Sequence, residues 1–307
     1  MRKFNLKGTV VERMKGIQRQ EPKPADAKTE KTAEVSGMDA AFTEEQGVLT
    51  YAWRTDVGRL RKNNQDAVIL GNGLAGVADG MGGHKGGEIA SAGLRDGLLR
   101  ETRERKPDRE TLQEAVNTVN RELWEKQEKD ISLAGMGTTL TVIWPEQKKM
   151  IIGQVGDSRA YLLRDGIMTQ VTNDHSMVAD MVRKGVLTEE QAACHPMRNY
   201  ITRAVGTEDS VDMDLYIHDR RQGDRWLICS DGLYGMVSRN ELCELMRTED
   251  LEEAADQMMK AALEGGGKDN ISLVLLQDNT AFAEEQADTG NADETMEGQS
   301  SEEVNPD

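Results

Sequence analysis

Thr138-Thr-Leu-Thr-Val-Ile-Trp144, Met150-Ile-Ile-Gly-Gln-Val155, Arg159-Ala-Tyr-Leu-Leu163 and Ile167-Met-Thr-Gln-Val171 decide the fold of this 307-residue chain. The four runs are rich in β-branched and apolar residues, and Gly156-Asp157-Ser158 and Asp165-Gly166 between them are turn formers. Connections this short cannot cross over between parallel strands, so the spacing predicts an antiparallel meander. Further strands are expected at Val48-Leu-Thr-Tyr-Ala-Trp53, Ala67-Val-Ile-Leu70 and Leu74-Ala-Gly-Val-Ala78, the last two joined by a hairpin turn at Gly71-Asn72-Gly73. Two long helices follow. The second, about 108–129, carries Leu112, Ala115, Val116, Val119 and Leu123 on one stripe and packs with one face only. A strand at 225–229, a helix near 250–264 with Leu251, Ala254, Ala255, Met258 and Met259 inward, and a last strand at 271–276 complete the pattern. Strands in hairpins and helices in antiparallel pairs predict an α+β sandwich of two antiparallel sheets covered by helices.

Composition bounds the function. A net charge of −17 disfavours nonspecific binding to nucleic acid or anionic membrane. No apolar run approaches a membrane span, and the start Met1-Arg-Lys-Phe-Asn-Leu-Lys7 has no secretion-signal core, so a cytoplasmic location is expected. Cys194, Cys229 and Cys243 form neither a Cys-x-x-Cys pair nor a disulfide framework. The chain divides into a polar arm, 1–47, expected to be disordered; a patterned unit, 48–279; and an acidic tail, 280–307, without Lys or Arg. Within the arm, Phe4, Leu6, Val10, Val11, Met14 and Ile17 among Arg and Lys suit a short amphipathic helix, although a loosely ordered solubilising arm is the simpler reading.

Four aspartates sit where apolar runs give way to turns: Asn64-Gln-Asp66-Ala67, Val77-Ala-Asp79-Gly80, Cys229-Ser-Asp231-Gly232 and Lys268-Asp269-Asn-Ile271. Any one of them alone reads as a turn, as does Asp165-Gly166. If they converge, their like charges must be neutralised, and four carboxylates balance two divalent cations. Oxygen ligands with few neighbouring His or Cys suit magnesium or manganese rather than zinc. Two such ions sharing a water can generate a nucleophile at neutral pH, which fits hydrolysis of a phosphate ester. The glycines at 82, 83, 86 and 87 match neither dinucleotide nor Walker patterns and are read as letting the chain pass close to the site before a helix begins. Met150, Met168 and Met258 are read as core fillers.

The order Gly58-x-x-Arg-x-x-Asn-Gln-Asp66, Ala78-Asp-Gly-Met-Gly-Gly-His84, Gly137-Thr-Thr139, Val155-Gly-Asp-Ser-Arg-Ala-Tyr161, Ser230-Asp-Gly-Leu233 and Lys268-Asp-Asn-Ile271 resembles the metal-dependent (type 2C) protein phosphatases in their bacterial form, over roughly 48–279. The resemblance implies a four-layer αββα sandwich, two antiparallel sheets flanked by antiparallel helix pairs. It also implies two manganese or magnesium ions at one edge and removal of phosphate from phosphoserine and phosphothreonine without a phosphoenzyme. By position, Asp79 resembles the acid bridging both metals, and Gly80 lends its carbonyl to one. Asp231 and Asp269 resemble ligands of the other, Asp66 acts mostly through metal-bound water, and Asp157 matches a ligand for a weaker third metal. Arg61 stands where the family grips the substrate phosphate, a task suited to its planar fork of donors.

Two residues depart from the family pattern. Gln65 replaces a frequent Glu, and Met81 stands where eukaryotic members place a histidine proposed as general acid. His84 is of a type that titrates in the useful range, but a helix-start histidine is more often structural, so it is a minor candidate for that acid. Residues 175–206, with His195-Pro-Met-Arg-Asn199 and Arg203, resemble the family's flap and are expected to select protein substrates. The expected partners are phosphorylated proteins, including a cognate serine/threonine kinase and its substrates, with the enzyme a monomer. A partner-specific regulatory phosphatase of a sigma-factor or stress switch, and a non-catalytic metal-binding adaptor, are the alternatives.

Overall fold

Side-chain alternation along the strands of two stacked antiparallel sheets divides most of the buried apolar residues into three large cores. The computed structural model describes residues 49–82 and 86–281. The apolar residues between Phe4 and Ile17, the acidic tail beyond 281 and His84 lie outside them. The described chain runs β1 (Leu49–Asp56), β2 (Asp66–Gly71), β3 (Leu74–Met81), α1 (Gly86–Glu101), α2 (Arg109–Lys129), β4 (Gly137–Thr138), β5 (Leu140–Pro145), β6 (Lys149–Val155), β7 (Arg159–Arg164) and β8 (Ile167–Gln170). It continues through α3 (Met177–Arg183), α4 (Glu189–Ala193), β9 (Asp214–Asp219), β10 (Arg225–Cys229), α5 (Asp231–Tyr234), α6 (Arg239–Leu245), α7 (Leu251–Glu264) and β11 (Ile271–Asp278).

One sheet has the order β1-β11-β10-β7-β8, and the other β2-β3-β5-β6-β9 with β4 on the end of β3. In β3, Leu74 and Ala78 join the α1–α2 core, whereas Ala75 and Val77 face the other sheet. In β10, Trp226 and Ile228 meet Val274, Leu276 and Ile152 between the sheets, while Leu227 and Cys229 turn toward α6 and α7. A period of two therefore feeds a helix–sheet core and a sheet–sheet core from each strand, which produces four layers. The α2 stripe is buried as its spacing requires, and so is that of α7. Close contact of α1 with α2 needs Gly97, where a Cβ would lie 2.6 Å from Val119 Cγ2. The β2–β3 hairpin turns through Asn72 and Gly73 at φ 51° and 80°, the left-handed pair of a two-residue turn.

The meander holds only in halves. β5 and β6 are antiparallel neighbours in one sheet, and β7 and β8 are antiparallel neighbours in the other. Gly156-Asp157-Ser158 is thus a crossing between sheets, not a hairpin turn. Gly156 takes φ 97°, and its N–H donates to His175 Nδ1 at 3.1 Å instead of entering a ladder. Both sheets have the same side-chain period, so periodicity could not separate these strands.

β1 lies against β11 in full register, from Leu49 opposite Asp278 to Asp56 opposite Ile271. At the end marked by Asp278, Arg220 is wholly buried and forms a two-point pair with the equally buried Asp278 at 2.7 and 3.1 Å. It also donates to the Glu146 carbonyl at 2.6 Å, which ties the β5–β6 turn to the end of β11. Removing one partner leaves an uncompensated buried charge. Arg220→Ala should lower the unfolding free energy by about 3–5 kcal/mol, measured by urea denaturation, whereas a paired Arg220→Met, Asp278→Leu replacement should recover most of that loss.

Candidate active site

At the opposite end of β11 the two sheets are laced together by polar side chains. Asp66 opens β2 and lies directly opposite Asp79 of β3, so the antiparallel register alone brings two of the expected acids together. The backbone of Asp79 is fixed on both sides by Thr139: its N–H donates to Thr139 Oγ1 and its carbonyl accepts from Thr139 N–H, each at 2.9 Å. Asp79 is 7% exposed. Gly80 must be glycine for want of room, since a Cβ there would stand 2.1 Å from the Gly87 carbonyl oxygen. Gly87 is constrained in turn by Gly80 and Gln65, so the chain entering α1 passes close against Gly80.

The other sheet contributes Asp231 and Asp269. Asp231 is the first residue of α5, and Ser230 stands at the N-cap. Its hydroxyl does not cap the helix. It donates instead to Asp66 Oδ2 at 2.8 Å, which bridges the sheets at the residue next to Asp231. Asp269 accepts from Arg61 Nη2 at 2.8 Å through Oδ2 and from the Asn270 N–H at 2.8 Å through Oδ1. Arg61 Nε is buried without a hydrogen-bond partner among the described residues, although a buried charged donor ordinarily has one.

Asn270 was only part of a motif in the sequence and proves central. Its Oδ1 accepts from the Gln65 N–H at 2.8 Å, while Nδ2 donates to the carbonyls of Val57 and Asn63 at 2.9 and 3.0 Å. The 57–65 loop, which carries Arg61 and delivers Asp66, is thereby pinned to the turn carrying Asp269. Gly58 helps, because a Cβ there would stand 2.1 Å from the Asp269 carbonyl oxygen.

Asp157 lies at the crossing between the sheets and is 4% exposed. The next residue, Ser158, shares a 2.7 Å hydrogen bond with Thr139, the residue that fixes Asp79. The flap leaves this crossing through His175, whose N–H donates to the Gly156 carbonyl at 2.9 Å. Burial and the nearby Arg203 push the His175 imidazole below its ordinary pKa, against the pull of Asp214. Arg203 does not face the acids: it pairs with Asp214 at 2.6 Å and braces the flap base. Arg198 is exposed. Met81 packs with Ile201 and Ala204, so the residue standing in for the eukaryotic histidine serves as an apolar seat for the flap. Cys229 is fully buried, its thiol pushed up to about 12 by desolvation, and is no nucleophile.

Among the described residues no three His, Cys, Asp or Glu side chains close on one point tightly enough to hold an ion unaided. Hard divalent ions of magnesium's type do not need that, since they keep several waters and take one or two carboxylates each. The all-oxygen donor set and the backbone cradle at Gly80 fit such ions. A model of the family described as Protein phosphatase 2C matches residues 59–275. The chain belongs to the protein phosphatase 2C family. It is 41% identical over 231 residues to the serine/threonine protein phosphatase PstP of Mycobacterium tuberculosis, a match covering 74% of this chain and 45% of PstP, so it spans under half of that relative. It is 38% identical over 239 residues to the serine/threonine phosphatase stp of Listeria innocua, covering 74% of this chain and 95% of that one. Among solved structures, the catalytic domain of PstP in complex with two manganese ions superposes with a TM-score of 0.70 at 38% identity, covering 75% of this chain and 97% of that one. No helix among the described residues is long and apolar enough to cross a membrane.

Asn270→Ala removes three hydrogen bonds that join the 57–65 loop to the turn carrying Asp269, and should cost about 2–4 kcal/mol. Thermal unfolding checks this. Asn270→Asp keeps the shape but turns a charged oxygen toward two carbonyls, and should melt no higher than the alanine variant.

Proposed function

We propose that this chain is a metal-dependent protein phosphatase that hydrolyses phosphoserine and phosphothreonine in proteins, with residues 48–279 as its catalytic unit. The observation that carries this is the opposition of Asp66 and Asp79 across β2 and β3, with Asp66 bonded to Ser230, the neighbour of Asp231, and with Arg61 paired to Asp269. Family membership points the same way, as do relatives named serine/threonine phosphatases.

Asp79, Gly80, Asp231 and Asp269 would hold two manganese or magnesium ions, with Asp66 acting mostly through water and Asp157 serving a weaker third ion. When bound, the ions neutralise the acids, polarise the phosphate and activate a water for direct attack. The protein's own part is placement. Thr139 fixes the Asp79 backbone, Ser230 orients Asp66, and Arg61, held at one nitrogen by Asp269, turns its remaining donors to the phosphate oxygens. No side-chain nucleophile is required, so no phosphoenzyme forms. Met81 cannot donate a proton, and the leaving alkoxide takes its proton from water. The flap, seated on Met81 and braced by Arg203, presents Arg198 to the protein around the phosphorylated residue. The enzyme acts in the cytoplasm as a monomer, opposite a serine/threonine kinase and its substrates.

Manganese-dependent release of phosphate from a phosphothreonine peptide tests this. The natural chain should turn over and stop on chelation, and Asp79→Asn and Asp231→Asn should abolish activity. A folded, manganese-loaded natural chain without turnover would favour the metal-binding adaptor, and turnover confined to one phosphoprotein would favour the partner-specific switch. Arg61→Ala should lower kcat/KM by about 10- to 100-fold, the worth of a charge-assisted hydrogen bond. Arg198→Ala should reduce turnover of a phosphoprotein while sparing a small aryl phosphate. An equal fall for both substrates would remove the flap from substrate selection.

A further inference from the structure

Asp157 and Asp231 are 74 residues apart in sequence, yet one short helix joins them. Asp231 begins α5 and Tyr234 ends it. At its base the helix lies directly on the Asp269–Asn270 turn, since a Cβ on Gly232 would stand 1.9 Å from the Asn270 carbonyl oxygen. At its far end the Tyr234 hydroxyl donates to the Asp157 carbonyl at 2.9 Å. The ring is also gripped from the same crossing. The Arg159 guanidinium carbon sits 3.7 Å from the ring centroid, a close cation–π contact. Asp174 holds that guanidinium at 2.7 Å through Nη2 and 3.0 Å through Nε, and Arg159 Nη1 donates to Tyr161 Oη at 3.1 Å. A guanidinium is not deprotonated in a protein, so the cation over the ring is permanent.

We propose that Tyr234 is a positioning residue whose hydroxyl holds Asp157 in register with Asp231, and so sets the affinity of the ion at Asp157 apart from that of the ion pair. This rests on Asp157 and Asp231 being ligands as proposed above. The crossing around Asp157 is held from several sides. His175 holds Gly156 before it, Gln154 Nε2 donates to the carbonyls of Gly156 and Ser158, Thr139 meets the Ser158 hydroxyl, and Tyr234 donates to the Asp157 carbonyl. Of these, only Tyr234 belongs to the helix that carries Asp231. A phenylalanine would fill the same volume and keep the stacking on Arg159, so packing does not require the hydroxyl. What the hydroxyl adds is the link to Asp157.

Manganese binding to the full chain, followed by calorimetric titration without substrate, tests this in the natural protein, Asp157→Asn, Tyr234→Phe and the double variant. The natural protein should show a tight and a weak phase, and Asp157→Asn should remove the weak one. Tyr234→Phe should loosen the weak phase about three- to tenfold, the size of one hydrogen bond, and leave the tight phase unchanged. It should add nothing in the Asp157→Asn background, as expected of residues acting through one another. A weak phase unaltered by Tyr234→Phe, or a tight phase loosened equally, would overturn the positioning role while leaving the ligand reading intact. A weak phase that survives Asp157→Asn would instead overturn the ligand reading of Asp157, and the role of Tyr234 with it. Absence of any manganese binding by the natural protein, together with no peptide turnover, would overturn the phosphatase reading itself.

Discussion

The Asn270 carboxamide joins the two sheets at the edge that carries the aspartates. The two sheets share no strand, so no backbone ladder sets the distance between acids presented by one and acids presented by the other. One amide, donating to Val57 and Asn63 and accepting from Gln65, fastens the incoming loop of one sheet to the terminal turn of the other. A carboxamide suits the task because it offers donors and acceptors in one rigid plane. Ser230 repeats the device a few residues away, giving up its usual capping role to reach Asp66.

The acids are mutually repulsive, and the fold spends polar contacts to keep them close. Thr139 grips Asp79 through its backbone, on both the N–H and the carbonyl side. Asp269 accepts an arginine, which offsets charge at the site while restraining Arg61 itself. Hydrogen bonds in this setting fix direction more than they add stability, in keeping with the small net worth of each.

Much of this was legible in the sequence, for physical reasons that can be named. The stripe Leu112–Leu123 has one unambiguous period, and Asn72-Gly73 has one favoured turn, so α2 and the β2–β3 hairpin were readable. The crossing at Gly156 was not, because strands of both sheets alternate alike and only the left-handed glycine and the distant His175 divert the chain. Strand β9 escaped notice, since Asp214, His218 and Asp219 dilute an edge strand's apolar signal. At the site, the aspartates and Arg61 stood out by type and spacing. Asn270, Ser230, Thr139 and Tyr234 did not, because their importance lies in which distant atom each one meets.

The register of β1 against β11 has a mechanical consequence. Leu49 and Asp278 face each other at one end of adjacent antiparallel strands, about 25 Å along the strand from the acids. A pull applied between the two flanks of the domain would load one hydrogen-bonded pair at a time and peel the strands apart like a zipper, since the ladder bonds lie across the strands. A leash on a single flank would meet no such weakness. It would leave the sandwich unstrained, with the aspartate-bearing edge facing away from the anchor.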